Sequence, residues 1–192
     1  DDRHAISVCL PTWEAVLGYE EGRDKVLKRL RCGYPRFFKH PLVERLFSTA
    51  ADQLAVESER VVVFPHRAAA QRALRFVEKR TGAAARIVSF DGMQALIVPE
   101  AAAVVAMEYW RYTGEIVSSR QALDVLDGDG IWKYDTSELR ARIAGFGNYA
   151  TEDVFLYESG MSGVYAVHSA VTGMFAGKKT LQLDFPYVDV QN

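Results

Sequence analysis

A run of small residues between two apolar segments is the first place where this sequence could do chemistry. Residues 159–163 read Ser-Gly-Met-Ser-Gly, with an apolar segment before them and valines at helical spacing after them. This pattern predicts a strand over 153–157, a tight turn, and a helix that runs to about Val171. The first N–H groups of such a helix have no helical partner, and the helix dipole gives them partial positive charge. We therefore predict an anion site at the turn, where Gly160 and Gly163 would let a phosphate approach the backbone.

The turn does not fit the better-known phosphate and nucleophile motifs. It lacks the G-x-G-x-x-G dinucleotide fingerprint and the Gly-Lys-Ser/Thr ending of a P-loop. Its Gly-Met-Ser-Gly core is one residue short of the G-x-S-x-G nucleophile elbow. A glycine-rich turn can also serve packing alone, and from the turn by itself this alternative stays open.

A second group that could bind phosphate lies near the N-terminus. Tyr34 and Arg36 are two residues apart, in a segment that contains Pro35 and Pro41. The prolines predict an extended segment, in which both side chains point the same way, and a phenol beside a guanidinium suits a phosphate. The alternative interpretation is an ordinary loop with an aromatic anchor and a surface arginine.

The elements that must position these residues alternate between helix and strand, which predicts an α/β fold. After an N-terminal arm that ends in a short helix before residue 20, helices are predicted within residues 20–35, 40–56, 67–82, 99–114, 118–130, 136–148 and 159–171. Strands are predicted at residues 60–66, 85–90, 93–99, 153–157 and 179–190. Because the last strand would need neighbours and a following helix, we expect the fold to continue in a longer molecule or in another polypeptide.

Composition narrows the classes of function. The 192 residues are 49% apolar, which is enough for a packed core, and the formal net charge of −2 gives no basic face for nucleic acid. Cys9 and Cys32 are too few for a disulfide scaffold, and the four histidines have no metal-ligand spacing. No signal peptide and no apolar run of roughly 20 residues is visible, so we expect a soluble cytoplasmic protein without a membrane or metal partner.

Four segments in one order are similar to a known family. They are LPTWEAVLGYEEG, GYPRFF, EDVFLYESGMSGVYAVH and KKTLQLDFPYVDV. Together they resemble the cystathionine γ-synthase family of pyridoxal-phosphate-dependent transsulfuration enzymes, and more narrowly its fungal-type members, which have a long insertion. The likeness covers most of the chain and is weakest from about residue 56 to residue 148.

The resemblance implies a fold and a division into domains. The chain would hold the N-terminal arm and the start of the large domain of a fold-type I pyridoxal-phosphate transferase, mainly a parallel sheet with flanking helices, and an α/β insertion. Residues 1–55 would form the dimerisation arm and its helices, 56–148 the insertion, and 149–192 the start of the cofactor-binding domain.

The resemblance also implies roles for five of the residues above. Ser159, Gly160 and Met161 match the turn whose backbone amides hold the phosphate of the cofactor, pyridoxal 5'-phosphate. This agrees with the anion site inferred from the turn itself. Tyr34 and Arg36 match a pair that reaches the phosphate of the neighbouring subunit, which implies a homo-oligomer, either a dimer or a tetramer.

Other positions complete this set or depart from the family pattern. Tyr187 matches the aromatic residue that stacks on the pyridine ring, and it is the candidate catalytic residue. The family pattern is Tyr-Ser-Arg…Asn-Pro. In this chain Pro35 replaces the serine of that pattern, and His40 replaces the asparagine. The Schiff-base lysine and the Asp that pairs with the pyridinium nitrogen come later in the family's chain, so we expect these 192 residues alone to be inactive.

The implied reaction is a γ-replacement that forms cystathionine from an activated homoserine ester and cysteine, as in methionine biosynthesis. Two alternatives remain from the sequence. One is a non-catalytic or truncated homologue that acts as a scaffold. The other is a related enzyme that performs γ-elimination or a carbon–carbon-forming γ-substitution at the same site.

Overall fold

The computed structural model describes residues 3–6, 10–30, 34, 36–55, 57–128 and 135–183. Its sheet consists of β1 (Glu59–Phe64), β2 (Arg86–Phe90) and β3 (Met93–Pro99). All pairs are antiparallel, in the order β1-β3-β2. Asp91 and Gly92, both with positive φ, form the two-residue turn that joins β2 to β3.

Eight helices surround this sheet or extend from it within the described residues. They are α1 (Trp13–Glu20), α2 (Asp24–Leu27), α3 (Pro41–Leu54), α4 (Arg67–Thr81), α5 (Ala103–Thr113), α6 (Ser119–Leu126), α7 (Ser137–Gly147) and α8 (Gly160–Met174). Short 3₁₀ turns precede α5 at Glu100–Ala102 and follow α7 at Thr151–Asp153.

Helix α4 shows how local sequence fixes these elements. The His66 side chain caps its first turn by accepting the amide of Ala69, and Gly82 ends it in the left-handed conformation with φ of 70°. Its buried face contains three alanines and Val77. Such small side chains let the helix backbone lie close to the sheet, so α4 packs against all three strands.

One continuous core joins the sheet to α3, α4, α5 and α6. Trp110, on α5, is the largest side chain that is fully buried. Its indole N–H donates to the carbonyl of Val63 at 3.1 Å, and its ring meets Phe47 edge-on at 5.8 Å. Trp110 therefore ties α3 and β1 to the helix that ends beside the predicted turn.

The structure confirms the mixed helix-and-sheet class but corrects part of the expected sheet. The strand predicted at 153–157 is wrong: Thr151–Asp153 form a 3₁₀ turn, and 154–157 belong to no strand. The physical reason is that a strand needs a neighbour for its backbone hydrogen bonds, and no described strand pairs with this segment.

The sheet that is described lies within the region predicted as the insertion, and it is antiparallel. The described part of the predicted last strand, residues 179–183, is not a strand either, and 184–190 lie outside the described residues. The parallel sheet of a larger domain and the three domain boundaries therefore stay predictions. Among the described residues, no helix is long and apolar enough to cross a membrane.

We expect Trp110→Phe to lower the free energy of unfolding by about 1–3 kcal/mol, because the core loses the hydrogen bond to Val63 and gains a small void. Urea denaturation measures this change. The matched control is Trp13→Phe, since the Trp13 side chain is 73% exposed and its replacement should cost under about 0.5 kcal/mol. Equal losses in the two variants would contradict the anchoring role of Trp110.

Candidate functional site

The segment 159–163 opens a helix, as predicted. Ser159 is the N-cap of α8, and its hydroxyl oxygen accepts the amide of Ser162 at 3.1 Å. The Ser162 hydroxyl oxygen in turn accepts the amide of Ser159 at 2.9 Å, so the two serines form a reciprocal capping box. The amide of Gly163 donates to the Ser159 carbonyl. The amides of Gly160 and Met161 are thus the first-turn donors that remain for an external acceptor.

The first turn of α8 rests on the link between α5 and α6. The Ser159 hydroxyl donates to the carbonyl of Gly114 at 2.8 Å. Gly114 ends α5 with φ of 68°, and a Cβ at this position would lie 2.5 Å from Ser159 Oγ and 2.9 Å from the backbone nitrogen of Ser162. Glycine is therefore required at position 114 both by its backbone conformation and by the close approach of α8.

Gly160 and Met161, which carry these amides, line a cavity of about 650 Å³. Arg36, Ser159, Gly160 and Met161 all line it, so the structure brings four of the predicted site residues together. The first turn of α6, capped by Ser118, lines the same cavity. Its apolar wall is made by Ile6, Val43, Trp110, Ile116, Val117 and Val164.

Arg36 is held by contacts of its own. One terminal nitrogen, Nη1, donates to the carbonyl of Arg111 at 3.0 Å, and the guanidinium lies 5.1 Å from the centre of the Phe37 ring. Among the described lining residues, Arg120 and His4 add further basic groups, and Glu158 is the acidic one. The described part of the wall is therefore basic overall, which suits an anionic ligand.

Tyr34 does not join Arg36 in lining this cavity. The amides of Phe37 and Phe38 both donate to the Tyr34 carbonyl, so the chain turns here, and the prediction of an extended segment is wrong. The side chain of Tyr34 is exposed, and its own amide donates to the hydroxyl of Tyr19 at 3.0 Å. A turn satisfies these backbone groups locally, whereas an extended segment would need a neighbouring strand. The candidate catalytic residue Tyr187 lies outside the described residues.

A buried carboxylate behind α8 was not predicted from the sequence. Glu115 is 5% exposed; it pairs with Arg72 of α4 and accepts the hydroxyl of Tyr109 at 2.8 Å. The Tyr109 hydroxyl also lies 3.3 Å from that of Tyr165 on α8. Burial, together with these hydrogen bonds, raises the pKa of Tyr109, so its proton stays available to Glu115. The network fixes α8 against α4 and α5.

His66 and Glu158 form a second unpredicted contact. Nε2 of His66 lies 3.0 Å from a carboxylate oxygen of Glu158, the residue before the α8 cap. This hydrogen bond raises the pKa of His66 and lowers the pKa of Glu158. The only sequence signal is local: a histidine follows a strand and Pro65 at the start of a helix, which indicates a cap but not its distant partner. Over the part of the chain that is described, no three His, Cys, Asp or Glu side chains gather as a metal site.

Comparison with known proteins shows that this chain is similar to transsulfuration enzymes. Residues 42–118 match the family model described as fungal trans-sulfuration enzyme, N-terminal domain. Cystathionine gamma-synthase of Saccharomyces cerevisiae is 33% identical over 65% of this chain and 22% of its own length. The enzyme of that name from Neurospora crassa is 33% identical over 71% of this chain and 26% of its own length. The resemblance stated from the motifs is thereby confirmed.

A bacterial relative matches more of the chain. The L-2-amino-4-chloropent-4-enoate dechlorinase/desaturase of Streptantibioticus cattleyicolor is 29% identical over 98% of this chain and 40% of its own length. The chain therefore spans well under half the length of these curated relatives. No solved structure matches it at a significant level.

We expect Gly160→Pro to weaken phosphate binding roughly tenfold or more, because it removes one amide donor to a charged acceptor. Proline is well tolerated at the first position of a helix, and Ser159 before it is already extended, so α8 should still form. The matched control is Gly160→Ala, which keeps the amide and whose Cβ meets open space. Titration with inorganic phosphate, followed by isothermal calorimetry, separates the two; equal affinities would contradict the role of this amide.

We expect Gly114→Ala to destabilise the chain by more than Gly82→Ala does. Both glycines have φ near 70°, which costs an alanine about 1–2 kcal/mol, but only Gly114 also faces α8, while Gly82 has open space around it. Urea denaturation of both variants isolates the contact with α8. Equal losses of unfolding free energy would show that α8 does not rest on Gly114.

Proposed function

We propose that this chain is part of a pyridoxal-phosphate-dependent γ-replacement enzyme, because its residues 42–118 match the model of the N-terminal domain of fungal trans-sulfuration enzymes. The proposed reaction joins an activated homoserine ester to cysteine and gives cystathionine. The names of the yeast and Neurospora relatives support this reaction. The observation that carries the proposal is that Arg36 and the first turn of α8 line one cavity.

The residues of this cavity fit a phosphate monoester. The amides of Gly160 and Met161 would donate to its oxygens at a helix N-terminus, and the guanidinium of Arg36 would balance its charge. The proton of the Ser159 hydroxyl is already committed to the Gly114 carbonyl. Ser159 therefore supports the turn as a cap and does not itself donate to the ligand.

The chain's own residues would bind and orient, and the cofactor would supply the reaction's electron sink. When bound, pyridoxal phosphate delocalises the negative charge left by deprotonation of the substrate at Cα and then at Cβ. The basic groups hold the phosphate end, while Val43, Trp110 and Val164 exclude water from one side of the cavity. Tyr187 is proposed to stack on the pyridine ring, as the resemblance implies.

The proposal includes a homo-oligomer, dimer or tetramer, in which Tyr34 contacts the neighbouring subunit. Its exposed phenol would be available for such a contact. Arg36 lines a cavity of its own chain, so this structure supports its action beside its own α8. Mixed oligomers of Arg36→Ala and Gly160→Pro subunits show whether Arg36 serves its own subunit or the neighbouring one. Only if Arg36 acts across the interface does a mixed oligomer contain a site with both wild-type residues, and only then should cofactor binding return.

A second candidate function is γ-elimination. It is favoured by the bacterial relative that matches 98% of this chain and is named for dechlorinating 2-amino-4-chloropent-4-enoate. Carbon 4 of such an amino acid is its γ-carbon, so loss of chloride there is the chemical counterpart of losing an activated oxygen. In the full-length protein, release of a keto acid without added thiol would favour elimination, whereas thiol-dependent formation of cystathionine would favour replacement.

We expect Arg36→Ala to raise the dissociation constant for pyridoxal phosphate roughly tenfold or more, since a hydrogen bond to a charged group contributes about 1.5–3 kcal/mol. Equilibrium dialysis with detection of cofactor absorbance measures this, and urea denaturation reports folding. The control is Arg75→Ala, an exposed arginine on α4 away from the cavity, which should leave cofactor binding unchanged. Equal cofactor affinities for the two variants would contradict the proposed site, and the scaffold interpretation would gain support.

A further inference from the structure

Glu158 is a negative charge built into the edge of the cavity that is proposed to bind an anion. It immediately precedes the α8 cap, and it lines the 650 Å³ cavity with Arg36, Gly160 and Met161. The hydrogen bond from His66 lowers the pKa of Glu158, so the carboxylate is ionised at neutral pH. An ionised carboxylate at this place is attracted by the same free amides that would bind a phosphate.

His66 holds this carboxylate on the other side of the α8 cap. A smaller cavity of about 410 Å³ lies there, lined by His66 and Glu158 together with Arg72, Glu115 and Tyr165. The Glu158 carboxylate lies 3.0 Å from Nε2 of His66, and its side chain is only 25% exposed. Glu158 thus borders both cavities, but its charged end is bound on the side of His66.

The protonation of His66 is constrained by its second contact. Nδ1 accepts the amide of Ala69 at 3.1 Å as the cap of α4. In the neutral ring the hydrogen is therefore on Nε2, which donates it to Glu158. The groups that face this pair are Arg72 from α4, Glu115 from the link between α5 and α6, and Tyr165 from α8. His66 is thus fixed by α4 and directed toward the carboxylate.

We propose that His66 is a positioning residue of the anion site, which keeps the Glu158 carboxylate off the α8 amides and so sets the affinity of the larger cavity for a phosphate group. This inference rests on the proposed function, because it assumes that the larger cavity binds phosphate. It adds a competition between an internal carboxylate and the external anion. His66 itself lies outside the lining of the larger cavity and acts through Glu158.

The test compares phosphate binding by His66→Asn with and without the Glu158→Gln substitution. Asparagine is a good N-cap, so α4 keeps an acceptor for the Ala69 amide, while the donor to Glu158 is lost. We expect the dissociation constant for inorganic phosphate to rise roughly two- to fivefold, the range expected for a charge at a helix terminus. Adding Glu158→Gln should restore the wild-type value or a tighter one, because a neutral amide does not compete as an anion.

The measurement is a phosphate titration of the ¹⁵N-labelled chain, followed at the amide of Gly160, with urea denaturation of every variant. The matched control is His168→Asn, an exposed histidine on α8, which should bind like the wild type. An unchanged affinity in His66→Asn, or a loss that Glu158→Gln does not restore, overturns the inference. If His66→Asn does not fold, the single variant Glu158→Gln is the test. The inference predicts that this variant binds phosphate at least as tightly as the wild type, and weaker phosphate binding overturns it.

The same titration separates this inference from the function on which it rests. If neither phosphate nor pyridoxal phosphate shifts the Gly160 amide of the wild-type chain, the proposed function fails, and the inference fails with it. If the wild type binds and the variants behave alike, only the role of His66 is wrong.

Discussion

The close contact between Gly114 and the first turn of α8 is the constraint on which the site depends. α8 reaches the rest of the molecule at its beginning, where the Ser159 hydroxyl donates to the Gly114 carbonyl. Within α8, Ser162 is the residue that is buried. Since a side chain at position 114 would overlap this turn, the absence of a Cβ allows the first turn of α8 to lie here, where Gly160 and Met161 line the cavity. The position of the proposed phosphate site is therefore set by the end of α5, a helix anchored through Trp110 in the core.

The buried carboxylate of Glu115 helps to fix the position of α8. Glu115 follows Gly114 directly, and a buried charge is tolerated only when its oxygens are paired. Arg72 and Tyr109 supply the partners, and both belong to helices of the core. Because the same network reaches Tyr165, any displacement of α8 would disturb hydrogen bonds around a buried charge. Polar contacts thus fix a helix that has few apolar contacts of its own.

The features that could be predicted from the sequence are those decided by neighbouring residues. The small residues at 159–163 predict a helix start, and glycines at positions 82 and 114 predict helix ends, because each effect acts within one turn. The error at 153–157 has the opposite origin: apolar residues alone do not form a strand without a neighbour. Glu115 with Arg72, and Glu158 with His66, join residues more than forty positions apart. No periodicity in the sequence records such pairs.

The buried core and the family match cover nearly the same stretch of the chain. The buried cluster runs from Val43 on α3 to Val125 on α6, and the family match covers residues 42–118. Helix α3 packs against β1 and shares this core, while the boundary predicted at residue 55 stays a prediction. After α7, by contrast, large apolar side chains are exposed to solvent, among them Phe155 and Met174. The proposed anion site lies at this border: the core supplies Gly114 and the cavity wall, and α8 supplies the amides. A phosphate that bound both the cavity wall and the α8 amides would link α8 to the core. Phosphate binding and the attachment of α8 would therefore stabilise each other.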